Sequence, residues 1–376
     1  MAITYCKTCL NPSSRPNIKF DENGICPACN FNVQRRAGTI DWNTRTTELQ
    51  SIADWGRAHS KCAYDCIIAV SGGKDSTRQA FYVRDQLGMK PLLVSCVYPP
   101  EQLVDRGAAN LANLVSHGFD MISISPNPQV WKQMMREAFL KHANWCKATE
   151  LPLYAIPIHT AIAYQIPLIF LGENPAFTLG ESHGSSDGDA SRMKYCNTLQ
   201  GGDPSALMSG EIGPRDVHFY KYPHDEEMGK ANLRIVYLGY YIEDFNYHKN
   251  AEFAVAHGLI KREEPPEEIG DITGVQSLDE DFYMVNQYIK YLKFGFGQVT
   301  DKVNEAINLG LMNREEAAEL VHRYDGACHP RYIEKFCDYI GITAKEFEDV
   351  AEACRNPDYW KRDEAGRWVL NTENDL

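Results

Sequence analysis

The chain of 376 residues has no apolar run close to the ~20 residues that a membrane-spanning helix needs. Its first residues, Met-Ala-Ile-Thr-Tyr-Cys, also lack the basic flank and following apolar segment of a secretion signal. We therefore expect no membrane span and a cytoplasmic location. The length is sufficient for two or three folded units with a large buried core.

Basic residues are also scarce relative to acidic ones. The chain has 38 Lys and Arg against 51 Asp and Glu, for a net charge of −13. Neutralisation of phosphates supplies most of the affinity of nucleic-acid-binding proteins, so an acidic chain disfavours a nucleic-acid partner without excluding a local basic patch. The contents of 44% hydrophobic and 24% charged residues are those of an ordinary folded protein.

Twelve cysteines are present, and in a reducing compartment they indicate metal ligation or burial rather than disulfides. Cys6, Cys9, Cys26 and Cys29 follow the pattern C-x2-C-x16-C-x2-C, which is the spacing of a structural zinc site. Four thiolates would close the coordination shell, so we predict a structural Zn²⁺ and no catalytic one. His224, His248 and His257 share no ligand spacing, and no second metal site is expected.

The central motif is the loop that follows an apolar run at residues 66–70. It reads Ser71-Gly72-Gly73-Lys74-Asp75-Ser76-Thr77, after which a helix is predicted, with Asp75 and Ser76 as its N-cap candidates and Gly88 as its stop. The loop fits neither a Walker A motif nor G-x-G-x-x-G. A strand, a glycine turn and a helix start together favour a phosphate site, because backbone N–H groups and the helix dipole attract an anion.

Ser-Gly-Gly-x-Asp-Ser in this context resembles the PP-loop of the ATP pyrophosphatases, which split ATP into AMP and pyrophosphate. Further apolar runs at 91–97, 120–125, 167–171 and 235–242 alternate with helical patterns, which predicts an α/β fold with a parallel sheet covered on both faces. Ligands of such sheets lie beyond the carboxyl ends of the strands. We therefore expect the glycine loop, the region near Tyr98 and the stretch Gly172-Glu173-Asn174 to share one crevice.

The pattern along the chain predicts three units. These are a zinc ribbon at 1–40, a PP-loop-type α/β domain at 41–260 and a helical region at 261–376. Within the second, residues 180–232 are polar and glycine-rich and are interpreted as an insertion or lid. A charged, proline-broken surface connection is expected at 260–271, and helices at 279–354. Lys290 and Lys293 lie one helical turn apart, and two roles stay open for them: contact with a nucleotide, or solvated surface lysines.

The cysteine ribbon, the Ser71–Ser76 motif, Leu171-Gly172-Glu173-Asn174 and Lys293-Phe294-Gly295-Phe296-Gly297 together resemble the N-acetyl sugar amidotransferase family, the WbpG-like proteins of lipopolysaccharide and O-antigen biosynthesis. The resemblance implies ATP-dependent conversion of an acetamido group on a UDP-linked diacetamido sugar (uronic acid) to an acetamidino group. Adenylate would be transferred to the amide oxygen and then displaced by ammonia.

The resemblance also implies cofactors, partners and site residues. ATP and Mg²⁺ would bind at residues 71–77, with Lys74, Asp75, Glu173 and Lys293 as catalytic candidates. Asp75 has two open roles, as a helix cap and as a magnesium ligand; Glu173 likewise has two, as a magnesium or substrate ligand and as a capped loop carboxylate. The chain has no G-x-C-x-G nucleophile turn, so ammonia is expected from a separate glutaminase through a barrel protein similar to the histidine-pathway cyclase subunit.

Two other hypotheses remain. A tRNA-modifying PP-loop enzyme of the thiolase type is disfavoured by the acidic charge and by the isolation of Cys146 and Cys196 in the sequence. A non-catalytic nucleotide-binding subunit is the other alternative, and it predicts that loss of Asp75 leaves biological function intact.

Overall fold

The computed structural model describes residues 2–179, 187–196, 198–210 and 212–373. Within these ranges it is a mixed α/β protein whose main sheet has five parallel strands, in agreement with the predicted fold class. None of the described helices combines the length and the apolarity needed to cross a lipid bilayer. The Gly184–Ser186 part of the predicted insertion lies outside the described residues.

The strands of the main sheet lie at the predicted apolar runs, whereas several short helices and the last two strands were not predicted. The first half of the chain forms α1 (Pro27–Arg36), α2 (Trp42–His59), β1 (Cys66–Ala69), α3 (Lys74–Asp85), β2 (Pro91–Cys96), α4 (Asp105–Ser116), β3 (Met121–Ile124), α5 (Pro128–His142), α6 (Cys146–Tyr164), β4 (Leu168–Leu171) and α7 (Pro175–Thr178). The second half forms α8 (Asp225–Lys230), β5 (Arg234–Tyr237), α9 (Tyr247–Ala256), α10 (Pro266–Ile269), α11 (Tyr283–Phe294), α12 (Gln298–Leu309), α13 (Arg314–Tyr324), α14 (Pro330–Ile340), α15 (Ala344–Cys354), β6 (Trp360–Arg362) and β7 (Trp368–Leu370).

The sheet order is β3-β2-β1-β4-β5. The chain therefore moves outward from β1 to β3 and then crosses to the other side of β1, which makes the gap between β1 and β4 the point where strand order reverses. Side chains alternate between the two faces. Ile67 and Ile169 enter the core with α5 and α6, whereas Ile68 and Phe170 enter the core with α2 and α3. Burial on both faces explains why these strands read as continuous apolar runs.

Several predicted boundaries are wrong. The strand predicted at 235–242 ends at Tyr237, where a 3₁₀ turn begins. Helix α6 begins at Cys146 and continues through Pro152 and Pro157, two residues that usually interrupt a helix. The region at 260–271 is not a mere surface connection, since Arg262 is buried and its guanidinium pairs with Asp281 at 2.9 Å.

The cysteine-rich segment does not stand alone as a ribbon. It contains helix α1, and it packs against the C-terminal helices through Leu10, which lies in one apolar cluster with Val299 and Val303 of α12. The Leu10 N–H donates to Asn304 Oδ1 at 2.7 Å. Ile3 also pairs with Thr372, beside the β6–β7 hairpin that the helical prediction for 261–376 missed. The division into three units stays a prediction, and the first unit packs against the third.

Candidate active site and metal centre

The glycine loop lies at the carboxyl end of β1 and leads directly into α3. Gly72 has a φ of +77°, and a Cβ at this position would lie 3.0 Å from the backbone nitrogen of Leu111. Glycine is therefore required there both by conformation and by the close approach of α4. The helix begins at Lys74 with Gly73 as its N-cap, so the caps predicted at Asp75 and Ser76 are wrong.

Two of the three hydroxyl residues of the loop, Ser76 and Thr77, form hydrogen bonds to the loop itself. Ser76 Oγ and Thr77 Oγ1 both donate to the carbonyl oxygen of Gly73, at 3.1 and 2.9 Å. Thr77 is buried and does not line the cavity beyond the loop, and neither does Gly72. The hydroxyls therefore stabilise the first turn of α3, while Ser71, Gly73, Lys74, Asp75 and Ser76 line the cavity.

A compact charge cluster forms around Lys74, which is buried. Its Nζ lies 2.5 Å from Asp75 Oδ2 and 4.2 Å from the centre of the Tyr247 ring. Asn250 Nδ2 donates to the other Asp75 oxygen at 2.8 Å. Burial alone lowers the pKa of Lys74, but the carboxylates of Asp75 and Glu173 outweigh burial and raise it. Lys74 thus stays charged, and Tyr247 and Asn250 of α9 are members of the site that the sequence reasoning missed.

Glu173 follows β4, across the strand-order reversal from the loop. Burial and, after it, repulsion from Asp75 raise the pKa of Glu173 to about 7, while the nearby Lys74 opposes this rise. At neutral pH both the protonated and the ionised form of the Glu173 carboxyl are therefore populated. A side chain in this condition can take or give a proton, which is the property of a general acid or base.

Replacing Glu173 by Gln is expected to change stability in a pH-dependent way. Protonated Glu173 holds its proton more tightly in the folded state, where its pKa is about 7, than an ordinary glutamate does at a pKa of 4.5. Protonation of Glu173 therefore stabilises the folded state at low pH, and this stabilisation is lost as pH rises through about 7. Glu173→Gln keeps the uncharged form, so its free energy of unfolding should exceed that of the parent at pH 8 by up to roughly 3 kcal/mol. Urea unfolding at pH 5 and pH 8 measures this.

The matched control for this experiment is Glu319→Gln, at an exposed glutamate of α13. Asp279 and Glu280, whose pKa values burial also raises, are present in every protein compared and cancel from the difference. A stability difference between Glu173→Gln and the parent that stays constant from pH 5 to pH 8 would contradict the assigned environment.

The cavity beyond the loop has a volume of about 610 Å³, a size typical of small-molecule sites. It lies at the carboxyl ends of β1, β2 and β4, and Tyr98, Gly172 and Glu173 line it as the crevice prediction expected. Asn174 is buried and does not line it; its Nδ2 donates to the carbonyl oxygen of Asp187. Met193, Cys196 and Thr198 from the predicted insertion add a wall, and a lid movement of that segment stays a prediction.

Two parts of the cavity lining belong to no motif that the sequence shows. Residues 275–279, far along the chain, form one wall of the cavity. Asp279 packs so closely on Gly107 that a Cβ added to Gly107 would lie 2.4 Å from the Cα of Asp279. Gln79 of α3 also lines the cavity, is buried, and has a side-chain oxygen without a hydrogen-bond partner. A helical spacing of four residues from Asp75 was the only available signal for Gln79.

The structure places Lys293 away from this cavity. Its Nζ donates to the carbonyl oxygen of His142 at 2.5 Å, and it is not among the residues that line the cavity. Lys290 also does not line this cavity, and its Nζ forms an ion pair with Asp301 at 2.7 Å. The position of Lys293 gives no support to its predicted catalytic role, which stays a prediction, since residues that share a helical face need not face the site.

The four predicted metal ligands do converge. Cys6, Cys9, Cys26 and Cys29 are buried, and their sulfurs lie within 4.8 Å of one another. The Cys6–Cys29 and Cys9–Cys26 separations are 3.9 and 3.8 Å. Tetrahedral Zn²⁺ with Zn–S bonds of about 2.3 Å requires sulfur pairs near 3.8 Å, so the donor set fits zinc.

Backbone contacts support this cluster. The Cys26 N–H donates to Cys6 Sγ at 3.2 Å and the Asn11 N–H donates to Cys9 Sγ at 3.4 Å, which helps to stabilise thiolate charge. Among the residues that the structure describes, this is the only group of three or more His, Cys, Asp or Glu side chains with the geometry to hold a metal ion. Any Mg²⁺ in the large cavity would therefore need ligands from a bound phosphate.

The structure thus combines a parallel α/β sheet, a cavity beside the glycine loop at the strand-order reversal, and a separate four-cysteine cluster that could hold a metal ion. Residues 272–373 match the family model described as LPS biosynthesis protein WbpG-like, C-terminal domain. The match confirms the predicted resemblance to the WbpG-like family of LPS biosynthesis proteins. A comparison with curated proteins found no match.

Proposed function

We propose that the protein is an ATP-dependent amidotransferase of O-antigen biosynthesis that converts an acetamido group of a UDP-linked diacetamido sugar (uronic acid) to an acetamidino group. One observation carries the proposal. The Ser71–Ser76 loop, of the PP-loop type, lines a cavity of about 610 Å³, and residues 275–279 of the WbpG-like domain form another wall of it. A loop with the sequence of a PP-loop and a segment of the region that matches the WbpG-like family model thus face the same space.

The chemistry has two steps. The amide oxygen attacks the α-phosphorus of ATP, and the bond from that phosphorus to the bridging oxygen breaks, so that pyrophosphate leaves. Ammonia then forms a bond to the activated carbon, and the carbon–oxygen bond breaks with AMP as the leaving group. An amide is a poor electrophile, and this activation replaces a poor leaving group with a good one.

The residues around the loop suit the first step. The loop amides and the buried Lys74 ammonium supply the positive charge that departing pyrophosphate requires. The same cavity is also lined by the carboxyls of Asp75, Glu150, Glu173 and Asp279, which would repel a bare triphosphate. Bound Mg²⁺ would offset this repulsion, with Asp75 and the phosphates as its ligands.

Ammonia must come from another protein in this scheme, because the chain has no glutaminase motif. The proposed donors are a glutaminase subunit and an ammonia-channelling barrel subunit. The four-cysteine centre, with all four positions taken by thiolates, has a structural role in the proposal.

A tRNA-thiolating enzyme remains the alternative, and the cavity lining bears on it. Cys96 and Cys196 both line the cavity, but burial raises the pKa of each thiol. Sulfur transfer needs thiolates at neutral pH, which a raised pKa disfavours. The environment of these cysteines therefore favours the amidotransferase.

Exchange of labelled pyrophosphate into ATP tests the proposal, because exchange reports reversible adenylation without ammonia. We expect exchange that depends on a UDP-diacetamido uronic acid and does not occur with UDP-glucuronic acid, which lacks the acetamido groups. Unfractionated tRNA should give none. Exchange with tRNA alone would favour the alternative, and no exchange with any of these substrates would overturn adenylation.

A further inference from the structure

A second, smaller cavity also has Glu173 in its wall, and none of residues 71–77 lines it. Its volume is about 60 Å³, which admits a few molecules the size of water but not a ribose or a sugar. Glu173 and Thr178 line both this cavity and the large one. We call the small cavity the vestibule, and Glu173 stands between it and the proposed ATP site.

Besides the segment at 173–178, four separate parts of the chain build the vestibule. Its walls come from α1 of the cysteine-rich segment, the start of α2, the loop between β5 and α9, and the last turns of α12, which belongs to the WbpG-like domain. The lining residues on these elements include Asn32, Trp42, Glu243, Glu305 and Asn308. The four-cysteine centre therefore holds one wall of this space by fixing the beginning of α1.

The lining favours a small cation that donates hydrogen bonds. Three carboxyls, of Glu173, Glu243 and Glu305, line the vestibule against one guanidinium, of Arg35. A separate observation points the same way: Asn308 is 5% exposed, and its side-chain oxygen has no hydrogen-bond partner. A buried, unpaired acceptor costs free energy unless a donor reaches it.

We propose that the vestibule binds ammonium and that ammonia passes from it, beside Glu173, into the large cavity; this inference rests on the proposed amidotransferase function. Ammonium fits the volume, the excess of negative charge and the unpaired acceptor of Asn308. To pass on as a nucleophile it must lose one proton, and the adjacent Glu173 carboxylate receives that proton. The products of this transfer are ammonia and the neutral carboxyl.

The electrostatic surroundings of Glu173 suit this transfer. The carboxyl faces Asp75 and Lys74 on the loop side and Glu305 and Lys302 on the α12 side. Because the carboxyl lines both cavities, an ammonium ion in the vestibule meets this proton acceptor before it reaches the ATP side. After the transfer, the neutral carboxyl no longer attracts ammonium, so ammonia rather than the cation enters the ATP side.

Two variants test the vestibule with ammonium chloride as the nitrogen source. Glu243→Lys places a positive charge at its exposed rim, and Asn308→Leu replaces the buried acceptor with an apolar side chain. We expect each variant to raise the KM for ammonium in amidine formation at least tenfold. The pyrophosphate exchange rate of each variant is measured as the control, because it reports the amount of folded, adenylating enzyme. Glu319→Lys, at an exposed glutamate outside the vestibule, should leave the KM unchanged.

Wild-type values of the KM for ammonium in both variants would overturn the inference while exchange still supports the amidotransferase. A second measurement does not depend on activity. Rubidium ion resembles ammonium in size, and a crystal of the parent soaked in rubidium chloride should show an anomalous peak beside Asn308 that is absent from Glu243→Lys. The peak supports the cation site even if exchange fails, and its absence from the parent overturns it.

Discussion

Lys74→Met is expected to lower pyrophosphate exchange at least 100-fold. The side chain is buried, lines the large cavity and keeps its charge because Asp75 and Glu173 raise its pKa. Removal of one preorganised donor to a developing negative charge typically costs about 10²–10³ in rate. Exchange measured with saturating UDP-diacetamido uronic acid and ATP gives the loss directly.

Lys302→Met is the matched control, because both lysines lie over the same aromatic ring. Lys302 Nζ is 3.8 Å from the centre of Tyr247, compared with 4.2 Å for Lys74, yet Lys302 is not among the residues that line the large cavity. We expect exchange within about threefold of the parent. Equal losses in the two variants would mean that the general charge balance, rather than contact with phosphate, accounts for the effect.

Cys29→Ser is expected to cause the largest loss of stability of any single substitution considered. The four sulfurs have the spacing of a zinc site, and apparent zinc-binding free energies in small peptides are about 10–16 kcal/mol. We expect the bound zinc to fall from one equivalent to near zero, with a loss of several kcal/mol and a decrease in the melting temperature of about 10 °C. Metal analysis and thermal unfolding measure both.

The damage should extend beyond the cysteine-rich segment. Arg314 of α13 donates to the carbonyl oxygens of Cys6 and Cys9, and Arg15 pairs with Asp301 of α12. Burial raises the pKa of Asp301, but Arg15 and Lys290 outweigh it and hold that pKa below its usual range. Hydrogen exchange in Cys29→Ser should therefore rise across α12 and α13 as well as across 2–40.

Cys62→Ser is the control for metal loss, because Cys62 is exposed and lies outside the four-cysteine cluster. It should retain zinc and the parental melting temperature. If the hydrogen-exchange change in Cys29→Ser stayed within residues 2–40, the segment would be an independent appendage, and its proposed support of the vestibule wall would fail.

Features that depend on neighbouring residues could be read from the sequence. The five strands of the main sheet lie at the predicted apolar runs. The four cysteines identified by their spacing form a cluster with the geometry of a zinc site. The glycine loop follows β1 as predicted, because a buried strand, a residue with positive φ and a helix start are all encoded within about ten residues. The family resemblance was supported at 272–373, a range that contains only the Lys293–Gly297 stretch among the motifs that suggested it.

Contacts between distant segments could not be read in this way. Tyr247, Asn250 and Gln79 join the loop cluster, and residues 275–279 form a cavity wall, only because α9 packs on α3 and Asp279 packs on Gly107. Lys293 shared a plausible pattern with the family but lies against His142. Periodicity tells which face of a helix is apolar, but not which distant element will cover it.

The sequence by itself determined the order of the main-sheet strands, the cysteines that could hold a metal ion and the loop beside the large cavity, because each depends on residues close together in the chain. Only the tertiary structure decided that Glu173 lines two cavities and that the cysteine-rich segment and the region matched by the WbpG-like family model share the walls of the smaller one. The physical reason is that a cavity and a shifted pKa arise from the burial of groups brought together from remote parts of the chain.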